Sequence, residues 1–302
     1  MVESLVIRNT TSNESKQFDM SEANYLIYEG AIDWGNVDVT HNTFQFPEQI
    51  GQYVSSTVMG SRDISINGWI IGDTEEEIKF KKVELSKFFN PLDEMEIIVD
   101  NYSIFGKPSA NVRYGKTLAE NSVVAVKFLL QIFCAQPLFL LSNAISVDVA
   151  ETIGAFGFPL ILKPEGIIMG YRKKSLFTDI TNDGATSVGM IITLEASGTV
   201  NNPEFLDVNT HKRIRINKVL TAGEVVVINT SIGERSITGI VNGEEINYFK
   251  YFDYDNEWLQ IPNGLSTFTY RTYDSSGEQD ESYKKMSVNV KYKTAVYNLE
   301  GE

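Results

Sequence analysis

Between Val124 and Cys134 every second residue is apolar: Val124, Val126, Phe128, Leu130, Ile132 and Cys134. A period of two sets six side chains on one face of an extended strand, whereas a helix would scatter them around its axis. Lys127 and Gln131 interrupt the other face, which is therefore partly exposed or laid against a neighbour. Together with Gln136 and Pro137 they also argue against a membrane helix over Ala125–Ile145, since a span needs roughly 20 mostly apolar residues.

The first part of the chain offers further strands at Leu5–Arg8, Tyr25–Ile32, Arg62–Ile71 and Met95–Asp100, and one helix. That helix is predicted over 74–89. Thr74 and Glu77 form a T-x-x-E capping box, Glu75–Glu77 place negative charge at the positive end of the dipole, and Asn90–Pro91 ends the run. Ile78, Leu85, Phe88 and Phe89 share one face, against Lys79, Lys82, Glu84 and Lys87. These charges read as a solvated helix face.

After Gln136–Pro137 the pattern is nearly pure β, with turn signals such as Asn182–Asp183–Gly184, Ala222–Gly223, Asn242–Gly243 and Ser275–Ser276–Gly277. Alternating runs lie between them, including Arg213–Lys218, Glu224–Asn229, Arg235–Val241 and Met286–Tyr292. Asn242–Gly243 is the strongest hairpin signal, because a type I′ turn needs positive φ at both central residues. With 302 residues, two domains are expected, with the change of pattern falling at 137–150.

Net charge is −14, and the only basic groups are the short Arg172–Lys173–Lys174, Lys212–Arg213 and Lys284–Lys285. Holding phosphates takes clustered Lys and Arg, so nucleic-acid binding and attachment to an anionic membrane are both disfavoured. The start Met1–Val2–Glu3–Ser4 lacks the features of a cleavable signal. A lone Cys134 excludes an internal disulfide and, continuing an apolar strand face, reads as a buried structural thiol.

No catalytic constellation emerges. His41 and His211, the two histidines, stand in polar turn-like settings without metal-ligand spacing, and each reads as a surface residue. No glycine-rich phosphate cradle occurs. Asp253–Tyr254–Asp255–Asn256–Glu257 looks faintly like a calcium loop but lacks the turning glycine and the spaced terminal glutamate; a polar hairpin end accounts for it better. Among 40 Asp and Glu some glycosidase-like pair can always be imagined, so that signal is empty. Tyr248, Phe249, Tyr251, Phe252, Tyr254 and Trp258 crowd together. They read either as core and cross-strand pairs, with Tyr248 and Phe252 inward, or as a platform for sugars around Tyr251 and Trp258. No catalytic, cofactor-binding or metal residue is assigned.

Three stretches carry a resemblance to the distal tail proteins of siphophages (Dit, the siphovirus-type tail component). The first is Arg62–Asp63–Ile64–Ser65–Ile66–Asn67–Gly68–Trp69–Ile70, read as a strand ending in a glycine turn, followed by the acidic helix start Thr74–Glu77 and Phe88–Phe89–Asn90–Pro91. The second is the junction Phe133–Cys134–Ala135–Gln136–Pro137–Leu138–Phe139. The third combines Thr181–Asn182–Asp183–Gly184, Val208–Asn209, Gly223 through Thr230 and Trp258–Leu259 through Gly264. Where the family often has Gly-x-Asn, this chain reads Gly264–Leu265–Ser266.

The resemblance implies a mainly β protein of two β-sandwich domains: 1–140, ring-forming, with the single amphipathic helix 74–89, and 141–302, galectin-like. It implies a structural, non-enzymatic tail-tip component without cofactors, from a phage, prophage or tailocin. Six copies would form a ring joining the tail tube and tape-measure end to the tail-associated lysin or fibre, with receptor-binding protein at the periphery. Such a protein is made in the host bacterial cytoplasm and ends in the virion. DNA would pass through the ring without being bound, and no membrane is involved. A ring uses heterologous contacts, for which strand edges of the first domain and the turn-rich segment Gly35–Ser56, read as an arm, are the candidates. The alternative is a carbohydrate-binding β-sandwich adhesin module.

Overall fold

The alternating run near residue 130 is a strand, Ala125–Cys134, and its register explains the alternation. In the computed structural model Val126, Phe128, Leu130, Ile132 and Cys134 are all buried, each no more than 2% exposed. Val124, the sixth residue of the run, precedes the strand and is 53% exposed. The strand pairs antiparallel along its whole length with Arg62–Ile71. The structure describes residues 4–20, 25–28, 30–48, 50–117, 120–122, 124–149, 151–154, 170–173 and 177–299.

The described chain forms two compact units, Met1–Ser142 with Val296–Glu302, and Asn143–Ala295. In the first, Arg62–Ile71 also pairs with Tyr25–Leu26 and Ile32–Asp33. From Tyr25–Leu26 the hydrogen bonds lead on through Ser15–Asp19, Ser4–Asn9 and Met95–Val99 to Tyr102–Pro108. This last strand bonds back to Ala125–Cys134, through Lys107 with Phe133 and Pro108 with Ile132. Seven strands thus close on themselves. The expected N-terminal sandwich is corrected to a closed circuit, and the reason is physical: closure leaves no open edge to be covered.

Inside the circuit Phe18 sits among the rings of Tyr25, Phe128 and Phe89, with centroids 5.6, 5.9 and 6.3 Å away. Gly68 does not turn the chain as expected but lies mid-strand. A Cβ there would stand 2.4 Å from the Phe128 ring and 2.7 Å from the Leu26 carbonyl oxygen, so only glycine lets the two strands approach.

The helix runs Glu75–Phe88 and buries Ile78, Lys81, Leu85 and Phe88. Thr74 caps it by accepting from the Glu77 N–H at 3.2 Å, while the Glu77 carboxylate reaches back to the Asp73 N–H at 2.9 Å. Phe88 and Phe89, packed edge to face at 4.9 Å, carry its end into the core of the circuit. The chain returns to this unit after residue 295. Leu299 is buried in its core, and the Arg62 guanidinium, lying 4.8 Å over the Phe139 ring, donates to the Tyr297 carbonyl at 2.5 Å.

The second unit holds two antiparallel sheets. One has six strands in the order Ile145–Asp148, Met286–Tyr292, Met190–Ala196, Val225–Asn229, Ser236–Val241 and Glu244–Asn247; the other has four, Phe177–Asn182, Gly264–Arg271, Glu204–Asp207 and Arg213–Arg215. Alternation sends Met190, Ile192, Leu194 and Ala196 inward, with Val226, Ile228, Val288 and Val290 beside them. Asn242 and Gly243 adopt φ of 52° and 84°, the turn that their pairing predicted. Besides the helix, the described residues hold only two short 3-10 turns, Phe249–Tyr251 and Ser282–Lys285. No described helix is long and apolar enough to cross a membrane.

Candidate assembly surfaces

The segment between Gly35 and Arg62 contains one feature that no core in the first unit supports. Val39–Phe44 and Tyr53–Met59 pair antiparallel in a separate two-stranded hairpin, and all thirteen of their residues are exposed. Val39 is 47% exposed, Phe44 43%, Tyr53 67%, Val54 51%, Val58 55% and Met59 46%; in the connecting loop Phe46 and Ile50 are open as well. From Asp33 to Ser61 the chain has no Lys or Arg, and its only acids are Asp33, Asp38 and Glu48. Apolar and aromatic residues with few charges are the composition of a surface that another protein covers.

The arm is held at its root and by its own ladder. Gly35, at φ +64°, lies so near the Asp63 carbonyl oxygen that a Cβ would come within 2.0 Å of it, and its N–H bonds the Asp33 carboxylate at 2.9 Å. Trp34 is buried edge-on against Phe139, with centroids 5.5 Å apart. Along the arm, His41 Nδ1 lies 2.9 Å from Thr57 Oγ1, and the Asn42 side chain donates to Ser56 at 2.8 Å. The ring of Phe44 meets Phe46 at 5.1 Å and Tyr53 at 5.4 Å. A register shift between Asn42 and Thr43 adds twist. Two strands without a supporting layer are marginally stable in water.

The other residues singled out by sequence do not converge. His41 lies in the arm. His211 is an exposed residue of a tight turn, at φ +59°, on the second unit. Cys134 is fully buried, and burial pushes its thiol up to about 12. In the calcium-like stretch the acids point apart: Asp255 lies 3.7 Å from Arg213, Glu257 pairs with Lys212 at 2.8 Å, and the Asn256 side chain bonds the Arg215 backbone on both sides. Among the described residues, no three His, Cys, Asp or Glu side chains gather as a metal site would require. The side chains of Arg172–Lys174 fall outside the described residues.

The crowded aromatic stretch is not a strand, and its rings are spent on one another. Tyr248 is buried, with its ring where a Gly239 Cβ would stand, 2.2 Å away. Phe252, expected inward beside it, is instead part-exposed and stacks between Phe249 at 5.6 Å and Trp258 at 4.8 Å. Arg235 lies 5.4 Å over Trp258.

Buried ionic groups in the second unit are likewise satisfied internally. Glu204 accepts from Arg215 at 2.7 Å and from Tyr273 at 3.0 Å. Glu224 binds Lys218 at 2.5 Å, Tyr248 at 2.7 Å and the Thr221 N–H at 3.0 Å; burial alone would raise its pKa, but these bonds lower it. Asp280 is similar. Burial opposes its charge, yet bonds from Thr272, Asn201 and Ser282 hold its carboxyl down at about 2. Such networks tie strands and loops together, with every carboxylate occupied.

Comparison with known proteins agrees with this picture of a chain built for assembly. A phage tail protein RIFT-related domain matches residues 18–130, and the C-terminal domain of the siphovirus-type tail component matches residues 183–293. Among solved structures, the Dit protein of phage SPP1, described as a paradigm of the hub adsorption apparatus in phages infecting Gram-positive hosts, is 11% identical. It gives a TM-score of 0.64 over 96% of this chain and 98% of that one. Chains from the phage P2 baseplate in its activated conformation, with Ca and with Sr, are each 12% identical, with TM-scores of 0.55 and 0.53 over 99% of this chain and 100% of theirs. At such identity the structures speak for the fold alone. No curated protein sequence matches.

A β-rich chain covered by two tail-component domains, with an exposed arm, is a structural component of a phage tail and baseplate. The chain belongs to the siphophage distal tail protein family, Dit.

Proposed function

We propose that six copies of this chain form a ring, the hub joining the tail tube and tape-measure end to the tail-associated lysin or fibre and to receptor-binding proteins. The observation that carries this reading is the arm. Thirteen exposed, mostly uncharged strand residues have no support in their own subunit, and a neighbouring copy supplies the missing layer. The first unit is the ring-forming part. The second, with its two antiparallel sheets, is a galectin-like sandwich facing other tail proteins, and that likeness does not bring sugar binding with it. The protein acts without catalysis, is made in the host bacterial cytoplasm and ends in the virion. Net charge −14 suits a ring that lets DNA through without gripping phosphate.

The test is the mass of the purified protein by light scattering, with negative-stain images, alone and with its tail partners. A closed ring of six is expected for the wild type, and a monomer or small species for Phe44→Asp/Tyr53→Asp, whose far-ultraviolet spectrum stays unchanged. A wild type that remains monomeric with every tail component would sink the proposal.

A further inference from the structure

A ring contact is heterologous: each copy presents one face and receives with another. The arm is one such face, and the second is written on the helix. Ile78, Leu85 and Phe88 point inward, whereas Phe80 and Val83, three residues apart on the opposite side, are 70% and 54% exposed. Glu76 and Lys87 extend this outward stripe by one turn at each end, and Lys79 lies along its flank. A solvated helix face has no need of a phenylalanine and a valine side by side, and nothing in this unit covers them. A single exposed apolar residue is ordinary; a matched pair on a short helix marks a contact.

Charge indicates what covers it. Past Glu77 the helix carries Lys79, Lys81, Lys82 and Lys87 against one acid, Glu84, an excess of positive charge in a chain of net −14. Lys81 is turned inward to Glu77 and the Ile71 carbonyl, and Lys79 is paired with Glu75. Lys87 is exposed and, among the described residues, makes no ion pair. The arm has the complementary character: aromatic and aliphatic side chains on both faces, acids at Asp38 and Glu48, and no Lys or Arg between Asp33 and Ser61.

We infer that the arm of one copy docks on the outward helix stripe of the next, Phe44, Phe46 and Tyr53 meeting Phe80 and Val83, with Lys87 facing the arm's acids. This rests on the ring reading above and names the receiving surface. It also explains why the arm holds so few charges: its ends meet an apolar stripe, and its few acids meet lysine.

Complementation tests it in the full-length chain. Phe80→Glu/Val83→Glu spoils the receiving face and Phe44→Asp/Tyr53→Asp the arm. All four residues are exposed, so both variants keep the wild-type thermal midpoint. Each alone is expected to self-associate at least about tenfold more weakly, as loss of central anchors does. Their equimolar mixture, followed by sedimentation velocity over a concentration series, is expected to give a one-to-one dimer and no ring, because only one intact arm and one intact stripe remain to meet. A helix variant that assembles like the wild type while the arm variant does not would leave the ring standing and overturn the docking site. So would a mixture that stays monomeric throughout the series. A wild type monomeric with all partners removes the ring and the docking together.

Discussion

Gly68 shows how much one missing side chain decides in the first unit. Its Cα faces the Phe128 ring at a point where a methyl group would stand 2.4 Å from carbon. Gly68→Ala is expected to destabilise the protein by about 2–3 kcal/mol, as overpacking of a filled core does, measured by chemical denaturation. A second residue-scale prediction concerns Asp280. Its carboxyl titrates at about 2 when folded, against 3.8 ordinarily, so the charged form favours the folded state. That contribution is present above about pH 4 and is lost as pH falls towards 2. Asp280→Asn is expected to flatten the acid limb of the stability profile in that window. Neither role was legible in the sequence. Gly68 reads locally as a turn because its partner, Phe128, is sixty residues away in sequence and adjacent only once the register is set. Asp280 reads as one acid among 40 until Thr272, Asn201 and Ser282 converge on it.

Among elements, the legible ones have one wet face and one dry. Arg62–Ile71, Ala125–Cys134 and Met286–Tyr292 alternate because each has a buried and an exposed side, and the helix announces itself through Thr74 and Glu77. Thr74→Ala is expected to cost about 1 kcal/mol in thermal or chemical unfolding, the usual worth of an N-cap. The two arm strands gave no such signal. Exposed on both sides, they have no alternation to show, and the segment reads only as turn-rich. Closure of the seven strands was equally hidden, since it depends on Lys107 and Pro108 meeting Phe133 and Ile132 across a loop. The arm's independence makes a prediction. Replacing Asn42–Ser56 by a two-residue Asn-Gly turn removes no residue from the core, so the thermal midpoint is expected to hold within a degree or two while assembly is lost; a large fall in midpoint would show that the arm supports its own subunit.

At the scale of the whole molecule, charge and connectivity govern behaviour. With net charge −14 and no exposed basic face, the protein is expected to leave the anisotropy of a fluorescent DNA duplex unchanged at physiological salt. Connectivity was not foreseen: the residues after 295 were expected with the second unit, whereas Leu299 is buried in the core of the first and Arg62 holds the Tyr297 carbonyl. Their apolar character is too slight, over so short a run, to say which unit they join. Leu299→Ala is expected to lower stability by about 2 kcal/mol or more, the lower range for truncating a core leucine, in the transition that reports on the first unit.

That return fixes an order of events during synthesis. The first unit starts to emerge from the ribosome early, yet it cannot finish folding until residue 299 has been made, after the whole of the second. A chain cut short anywhere in its latter half lacks the piece that seals its beginning, so the cell's proteases meet it unfinished. Only subunits translated through to that point reach the growing tail.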